Sequence, residues 1–154
     1  SAVRYNVKGK KYISTPLKYY FVDVGLRNAR LNFRQQEENH IMENIIFNEL
    51  KIRGFDVDVG VVEHNTKDKD GKSHRNFLEI DFIANMGGKR FYIQSALNID
   101  DEEKRYQEIN SLCRINDSFK KFVVIKDNIE PWQDDKGILY IGIEQFLLEE
   151  DWLR

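Results

Sequence analysis

The chain has one cysteine, two prolines and no apolar stretch of the length that spans a bilayer. Cys113 stands alone, which excludes a disulfide framework within the chain and favours a reducing, cytoplasmic setting. No signal peptide opens the sequence. Ser1-Ala2, without an initiator Met, reads as the remainder of a cleaved tag, so a native chain that begins earlier is expected. Twenty-four Lys and Arg stand against 26 Asp and Glu, a formal charge of −2. No global basic field announces nucleic-acid binding, although a local basic patch is compatible with that balance. His40, His64 and His74 have no ligand-like spacing with one another or with Cys113, which argues against zinc. There is no Gly-x-Ser-x-Gly elbow, and Gly87-Gly88-Lys89-Arg90 lacks the upstream glycine and following Ser or Thr of a P-loop. Internal repeats and low-complexity segments are also missing.

What is present suits one domain of 154 residues with a real core. Residues 1–39 read as an N-terminal extension packing on that core, and 40–154 as the core domain. Val3 to Lys11 is basic and polar, and Tyr19 to Val22 reads as a short aromatic strand. Leu26 to Phe33 suits a helical turn or two, with Arg27, Arg30 and Arg34 nearby. A helix is expected from His40 to Arg53, stopped by Gly54 at C′. A strand follows from Phe55 to Val62, then a long polar hairpin loop from Glu63 to Asn76. Phe77 to Ala84 and Arg90 to Leu97 alternate as two strands around Gly87-Gly88. Asp100 to Ile115 reads as a helix with Asp100 as N-cap and Glu103 three residues on. Lys121 to Lys126 and Ile138 to Ile141 are strands, separated by a loop with Pro131, and Glu144 to Leu153 closes the chain as a helix. The order predicts a mixed α/β fold, an antiparallel meander flanked by helices.

Chemistry concentrates on the glycine hairpin. A two-residue turn pairs Met86 with Lys89, Ala84 with Phe91 and Asp81 with Gln94. Directly opposed residues share a face, as do residues two apart, so Glu79, Asp81, Gln94 and Ala96 are expected on one side. On the preceding helix Glu43 falls inside the apolar face, where an unpaired carboxylate is costly. It is either a partner of an arginine such as Arg27 or Arg75, or a member of a site with Asp81. Glu49 reads as structural. Ser95 alternates toward the other face and makes a poor nucleophile, and Cys113 reads as a small apolar filler. Lys8, Lys10 and Lys11 with Arg27, Arg30 and Arg34 suit a phosphate-binding edge, a solvated face or a contact with a neighbouring domain.

An Asp on one strand opposite a Glu-x-Lys on the next characterises the PD-(D/E)xK nuclease core, which this hairpin resembles. Its second strand reads Gln94-Ser95-Ala96, so the position of the catalytic lysine holds Ala96. The stretches Tyr19 to Asn28, Met42 to Gly54, Glu79 to Ile83, and Tyr92 to Ala96 followed by Asp101-Glu102-Glu103 resemble a domain of unknown function. That domain lies at the C terminus of prokaryotic AAA-type ATPases, after a P-loop module and a winged helix. The resemblance runs through nearly the whole chain in order. It implies a restriction-endonuclease-like fold with Glu43, Asp81 and Gln94 at the motif positions, and members that often read Gln-x-Ala at the third motif. ATP belongs to the upstream module, so the full-length protein is expected to be an ATPase and its own ATPase module the main partner.

The expected function is a degenerate, non-cleaving effector or DNA-interaction module. The alternatives are an active Mg²⁺-dependent endonuclease, with Lys89 or Lys104 replacing the missing amine, and a pure protein-interaction domain. Mg²⁺ is expected to bind weakly, through Asp81, the amide oxygen of Gln94, the Ser95 carbonyl and, by way of water, Glu43. Gln in place of Glu lowers the negative charge that holds the cation.

Overall fold

The computed structural model describes residues 1–30 and 37–153. One eight-stranded mixed sheet carries the domain. Its strands are β1 (Ala2–Asn6), β2 (Lys11–Lys18), β3 (Asp56–Lys67), β4 (Ser73–Met86), β5 (Lys89–Ala96), β6 (Lys120–Ile125), β7 (Trp132–Gln133) and β8 (Ile138–Gly142). The helices are α1 (Val24–Arg30), α2 (Glu38–Ile52), α3 (Glu102–Cys113) and α4 (Ile143–Leu148), with a 3₁₀ turn at Asp151–Leu153. Strand order is β2-β1-β3-β4-β5-β6-β8-β7. The meander β3-β4-β5 is antiparallel, and α3 then carries the chain to β6, parallel to β5. The N-terminal residues supply two strands of this same sheet, because β1 pairs parallel with β3 and antiparallel with β2.

Each face of the sheet builds its own core. On one face Met42, Ile46, Phe47 and Leu50 of α2, with Phe146 and Trp152, cover Val57, Val59, Phe82, Phe91, Ile93 and Phe122. On the other, Ile109 and Leu112 of α3 and Ile115 cover Ile80, Ile83, Tyr92, Val123 and Tyr140. A sheet covered on both sides needs apolar runs rather than strict alternation in its central strands. Phe122-Val123-Val124-Ile125 is such a run, and all four residues are buried. Arg53 locks α2 to the closing segment, pairing with Glu49 at 2.6 Å and donating to the carbonyls of Phe146, Leu147 and Glu149. Gly54 takes φ +86° just beyond the helix, as its position predicts.

Several elements differ from the expectation. Tyr19 to Val22 is no strand, and side chains of α2 take up the backbone of Phe21 and Val22. Asn44 accepts from Phe21 N at 2.8 Å and donates to Phe21 O at 2.6 Å, and Asn48 donates to the carbonyls of Phe21 and Val22. The polar stretch 63–76 is mostly strand rather than loop. Glu63 with Arg75 and Thr66 with Asn76 join across it, and Asp68 closes the turn by accepting from the amides of Asp70 and Lys72. Polar side chains suit a ribbon exposed on both faces. The N-cap of α3 is Asp101, not Asp100, and its carboxylate accepts from Glu103 N at 3.0 Å. Cys113 ends that helix exposed to solvent, so it fills no core. The expected closing helix divides into α4 and the 3₁₀ turn, and β7 interrupts the expected loop. The stretch Leu31 to Phe33, with Arg34, lies outside the described residues. Among those described, no helix is long and apolar enough to cross a membrane.

Candidate functional site

The two-residue turn forms as expected, with Met86 opposite Lys89, Ala84 opposite Phe91 and Gly87 at φ +59°. The regular ladder then ends at Phe82 opposite Ile93. Across the other edge of β4, pairing steps from Asp58↔Ile83 to Gly60↔Ile80, so β4 carries one residue more than β3. Such a bulge re-aims the side chains beside it. Its effect is visible in the cores: Phe82 packs on the α2 face, whereas both Ile80 and Ile83 pack on the α3 face.

Asp81 sits at this irregularity and meets Ser95. The Ser95 amide and hydroxyl each donate to Asp81 Oδ2 at 2.8 Å. Gln94 takes the other role, its Oε1 accepting from the backbone amide of Asp81 at 3.2 Å. The sequence pattern aimed Ser95 away from the site, and the bulge makes it the direct partner of Asp81. Burial pushes the Asp81 carboxyl up to about 7, and the nearby charge of Glu43 adds to the effect. The two bonds from Ser95 and the charge of Lys18 pull the other way without cancelling it.

These groups border a cleft of about 290 Å³ between α2, the end of β5 and α3. Glu43 of α2, Asp81, Gln94, Ser95 and Ala96 all line it, as do Lys104 and Glu108 of α3. Glu43 is largely buried, as expected, but its cation is neither Arg27 nor Arg75. Lys18 Nζ lies 3.6 Å from Glu43 Oε2 and also bonds Glu79. Glu79 therefore belongs to a charged cluster with Lys18 and Arg4, at the rim rather than in the cleft. Glu108 is pushed up by burial, and its hydrogen bond with Gln94 pulls the other way. Ala96 is 3% exposed and also belongs to the α3-side core. Of the two lysines named as substitutes, Lys104 reaches the cleft, whereas Lys89 lines a separate pocket at the hairpin turn.

Of the basic residues expected to form a phosphate-binding edge, a solvated face or a domain contact, Lys8, Lys10, Lys11 and Arg30 are exposed. Arg27 is buried and bonds Asn28, and Arg34 lies outside the described residues. His40 pairs with Glu37, and His74 with Asp68, each outside the cleft.

A hard cation such as Mg²⁺ wants oxygen donors free to turn toward it. Asp81 Oδ2 already accepts two bonds, Gln94 Oε1 accepts a third, and Glu43 faces Lys18. Among the described residues, no group of three His, Cys, Asp or Glu side chains is arranged to hold a metal ion. The donors as arranged are engaged within the protein through Asp81 Oδ2, Gln94 Oε1 and Glu43 Oε2, an arrangement that disfavours a metal ion until those contacts rearrange.

Lys18, Ser95 as the Asp81 partner, and Glu108 escaped the sequence reading. Lys18 is far from the hairpin in sequence, Glu108 lies on the helix that follows it, and no spacing rule links either to Asp81. The bulge that brings Ser95 to Asp81 has a faint signal in Gly60, opposite Ile80, where a Cβ would meet Ile80 Cβ at 2.8 Å.

No family model matches the chain, and no solved structure matches it. A Haemophilus influenzae (strain Rd) protein described as "Uncharacterized protein" is 32% identical over 148 residues. The match covers 96% of this chain and 33% of the relative, so the chain spans about a third of the curated relative it matches.

Proposed function

We propose that this chain is a degenerate, non-cleaving PD-(D/E)xK nuclease-like domain that serves an AAA-type ATPase as an effector or DNA-interaction module. One observation carries the reading: the cleft that gathers Glu43, Asp81 and Gln94 presents the methyl group of Ala96 where an amine is needed. The element order supports the restriction-endonuclease-like fold. A helix with Glu43 precedes a meander with Asp81 and Gln94, and a further helix leads to a parallel strand. Phosphodiester hydrolysis needs a positioned nucleophilic water and preorganised positive charge where the transition state becomes more negative. Here the third motif offers a neutral amide and a methyl group. Ser95 engages one of the two Asp81 carboxylate oxygens, and a cation would compete with it there.

In this reading the nucleotide-binding module, and ATP with it, belongs to residues outside this chain. The Haemophilus relative, about three times the matched length, has room for one. One observation favours the second reading, a Mg²⁺-dependent endonuclease, because Lys104 lines the same cleft.

The test is incubation with supercoiled plasmid in Mg²⁺ and in Mn²⁺, beside a DNA-binding titration over a salt series. An intact plasmid with binding that weakens as salt rises supports the module reading. Nicking that disappears in Asp81→Ala supports the endonuclease. Neither binding nor cleavage leaves a protein-interaction domain.

A further inference from the structure

We infer that Lys18 is the resident counter-cation at the rim of the cleft, carried in by the N-terminal hairpin to balance carboxylate charge in place of a divalent cation. The metal half of this inference rests on reading the cleft as the remnant of a nuclease-like site, and the ion-pair half does not. Lys18 reaches its place through a break in the β1–β2 ladder. Pairing passes from Arg4↔Ile13 directly to Ala2↔Lys18, so β2 bulges through Pro16. A proline cannot donate to a ladder, which suits it to such a break. The Arg4 guanidinium closes the bulge by donating to the Pro16 carbonyl, and its other nitrogens bond Glu79 at 3.1 and 3.3 Å. Beyond the bulge Ala2 is buried and fixes the end of the hairpin against the core.

Lys18 then bonds Glu79 and lies 3.6 Å from Glu43. Its side chain is 25% exposed and that of Glu43 only 16%, so neither charge is fully hydrated. A partly buried ammonium group is costly unless anions face it. Burial works against the charge of Lys18, and Glu79, Glu43 and Asp81 outweigh it, leaving the amine more basic than usual. The same geometry serves the carboxylates. Glu43 and Asp81 line one cleft, where the charge of Glu43 raises the cost of ionising Asp81, and the amine of Lys18 is the positive charge set between Glu43 and Glu79. An ammonium ion in that place relieves the repulsion without metal, and a divalent cation held by Glu43 and Asp81 would compete with it for Glu43.

The experiment compares the wild type, Lys18→Met, Lys18→Arg, Glu43→Gln and the Lys18→Met/Glu43→Gln double variant. Free Mn²⁺ is read by electron paramagnetic resonance, and stability by thermal unfolding. The wild type and Lys18→Arg are expected to leave millimolar Mn²⁺ free. Lys18→Met is expected to bind it at least about tenfold more tightly, and adding Asp81→Asn is expected to abolish the gain. The loss in Tm from Lys18→Met is expected to shrink by about half or more once Glu43 is Gln, because paired charges couple. If that coupling appears without a gain in Mn²⁺ binding, the counter-cation role stands and the metal-remnant reading falls. Additive Tm losses, or wild-type Mn²⁺ binding as tight as that of Lys18→Met, overturn the inference. If Lys18→Met fails to fold while Lys18→Arg folds and stays metal-free, the charge itself is required, as the inference holds. Failure of both variants alike overturns it.

Discussion

Ser95 grips one oxygen of Asp81 twice, with its amide and its hydroxyl each 2.8 Å from Oδ2. An amide that would otherwise serve the β4–β5 ladder is spent on a side chain, which ends the regular pairing at Phe82 and Ile93. The two bonds orient the carboxylate but do not overcome its burial. Asp81 therefore remains a group that prefers its proton near neutral pH.

That preference sets a pH dependence. The Asp81 carboxyl stands at about 7 in the folded protein, against 3.8 for an ordinary Asp. The folded state holds this proton more tightly than the unfolded state, so the group favours folding below the ordinary Asp value. Its contribution is lost as pH rises toward 7, amounting to roughly 4 kcal/mol over the window. Asp81→Asn keeps an acceptor for Ser95 and cannot ionise. It is expected to raise Tm by several degrees at pH 8 relative to wild type and to change it little at pH 4. Thermal scans at the two values check this, and an equal change at both would count against the shift.

Gly60 is the position where the bulge of β4 has no room for a side chain. A Cβ there would lie 2.8 Å from Ile80 Cβ and 3.2 Å from Ile83 Cδ1. Gly60→Ala is expected to cost about 1–3 kcal/mol as overpacking. The strain falls beside Asp81, so the Ser95 amide resonance should move as well as Tm. An Ala variant as stable as wild type, with that resonance unchanged, would falsify the bulge.

Trp152 closes the face on which Glu43 rides. Its ring stacks on Phe146 at 4.5 Å, its indole nitrogen donates to Phe146 O at 3.1 Å, and the Arg53 guanidinium lies over it at 5.2 Å. Trp152→Ala is expected to cost about 3–5 kcal/mol, and Trp152→Phe a fraction of that. Denaturant unfolding of the two variants measures the difference. Equal losses would assign the stabilisation to the hydrogen bond rather than to the rings.

The periodic parts of the fold were legible in the sequence. The helix holding Glu43, the glycine turn and the strands holding Asp81 and Gln94 all follow from local spacing and turn chemistry. So did the gathering of Glu43, Asp81 and Gln94 around one cleft. Local rules failed where distant residues decide. Asn44 and Asn48 capture the backbone of Phe21 and Val22, turning an apparent strand into a strap across α2. The bulge brings Ser95, not Gln94, to the Asp81 carboxylate, and strict alternation does not contain it. Lys18 enters the cluster only because β1 joins β3 in the sheet, a pairing between segments about 55 residues apart.

The wild-type protein is expected to leave supercoiled plasmid intact in Mg²⁺ and Mn²⁺, because positions 94 and 96 offer a neutral amide and a methyl group in place of a carboxylate and an amine. Restoring these takes Gln94→Glu with Ala96→Lys, and the surroundings add two conditions. Ala96 is 3% exposed at the edge of the core, so a lysine stem must lie along apolar surface while its amine reaches into the cleft. A carboxylate at position 94 also faces Glu108, whose burial already disfavours its charge. The double variant is therefore expected to bind Mn²⁺ less well than the triple variant that adds Glu108→Gln. Lys18→Met in that background removes the remaining competitor for the carboxylates. Plasmid gels and Mn²⁺ titration rank the variants. Nicking by wild type that vanishes in Asp81→Ala would defeat the non-cleaving reading, with Lys104, the lysine that lines the cleft, as the first residue to replace.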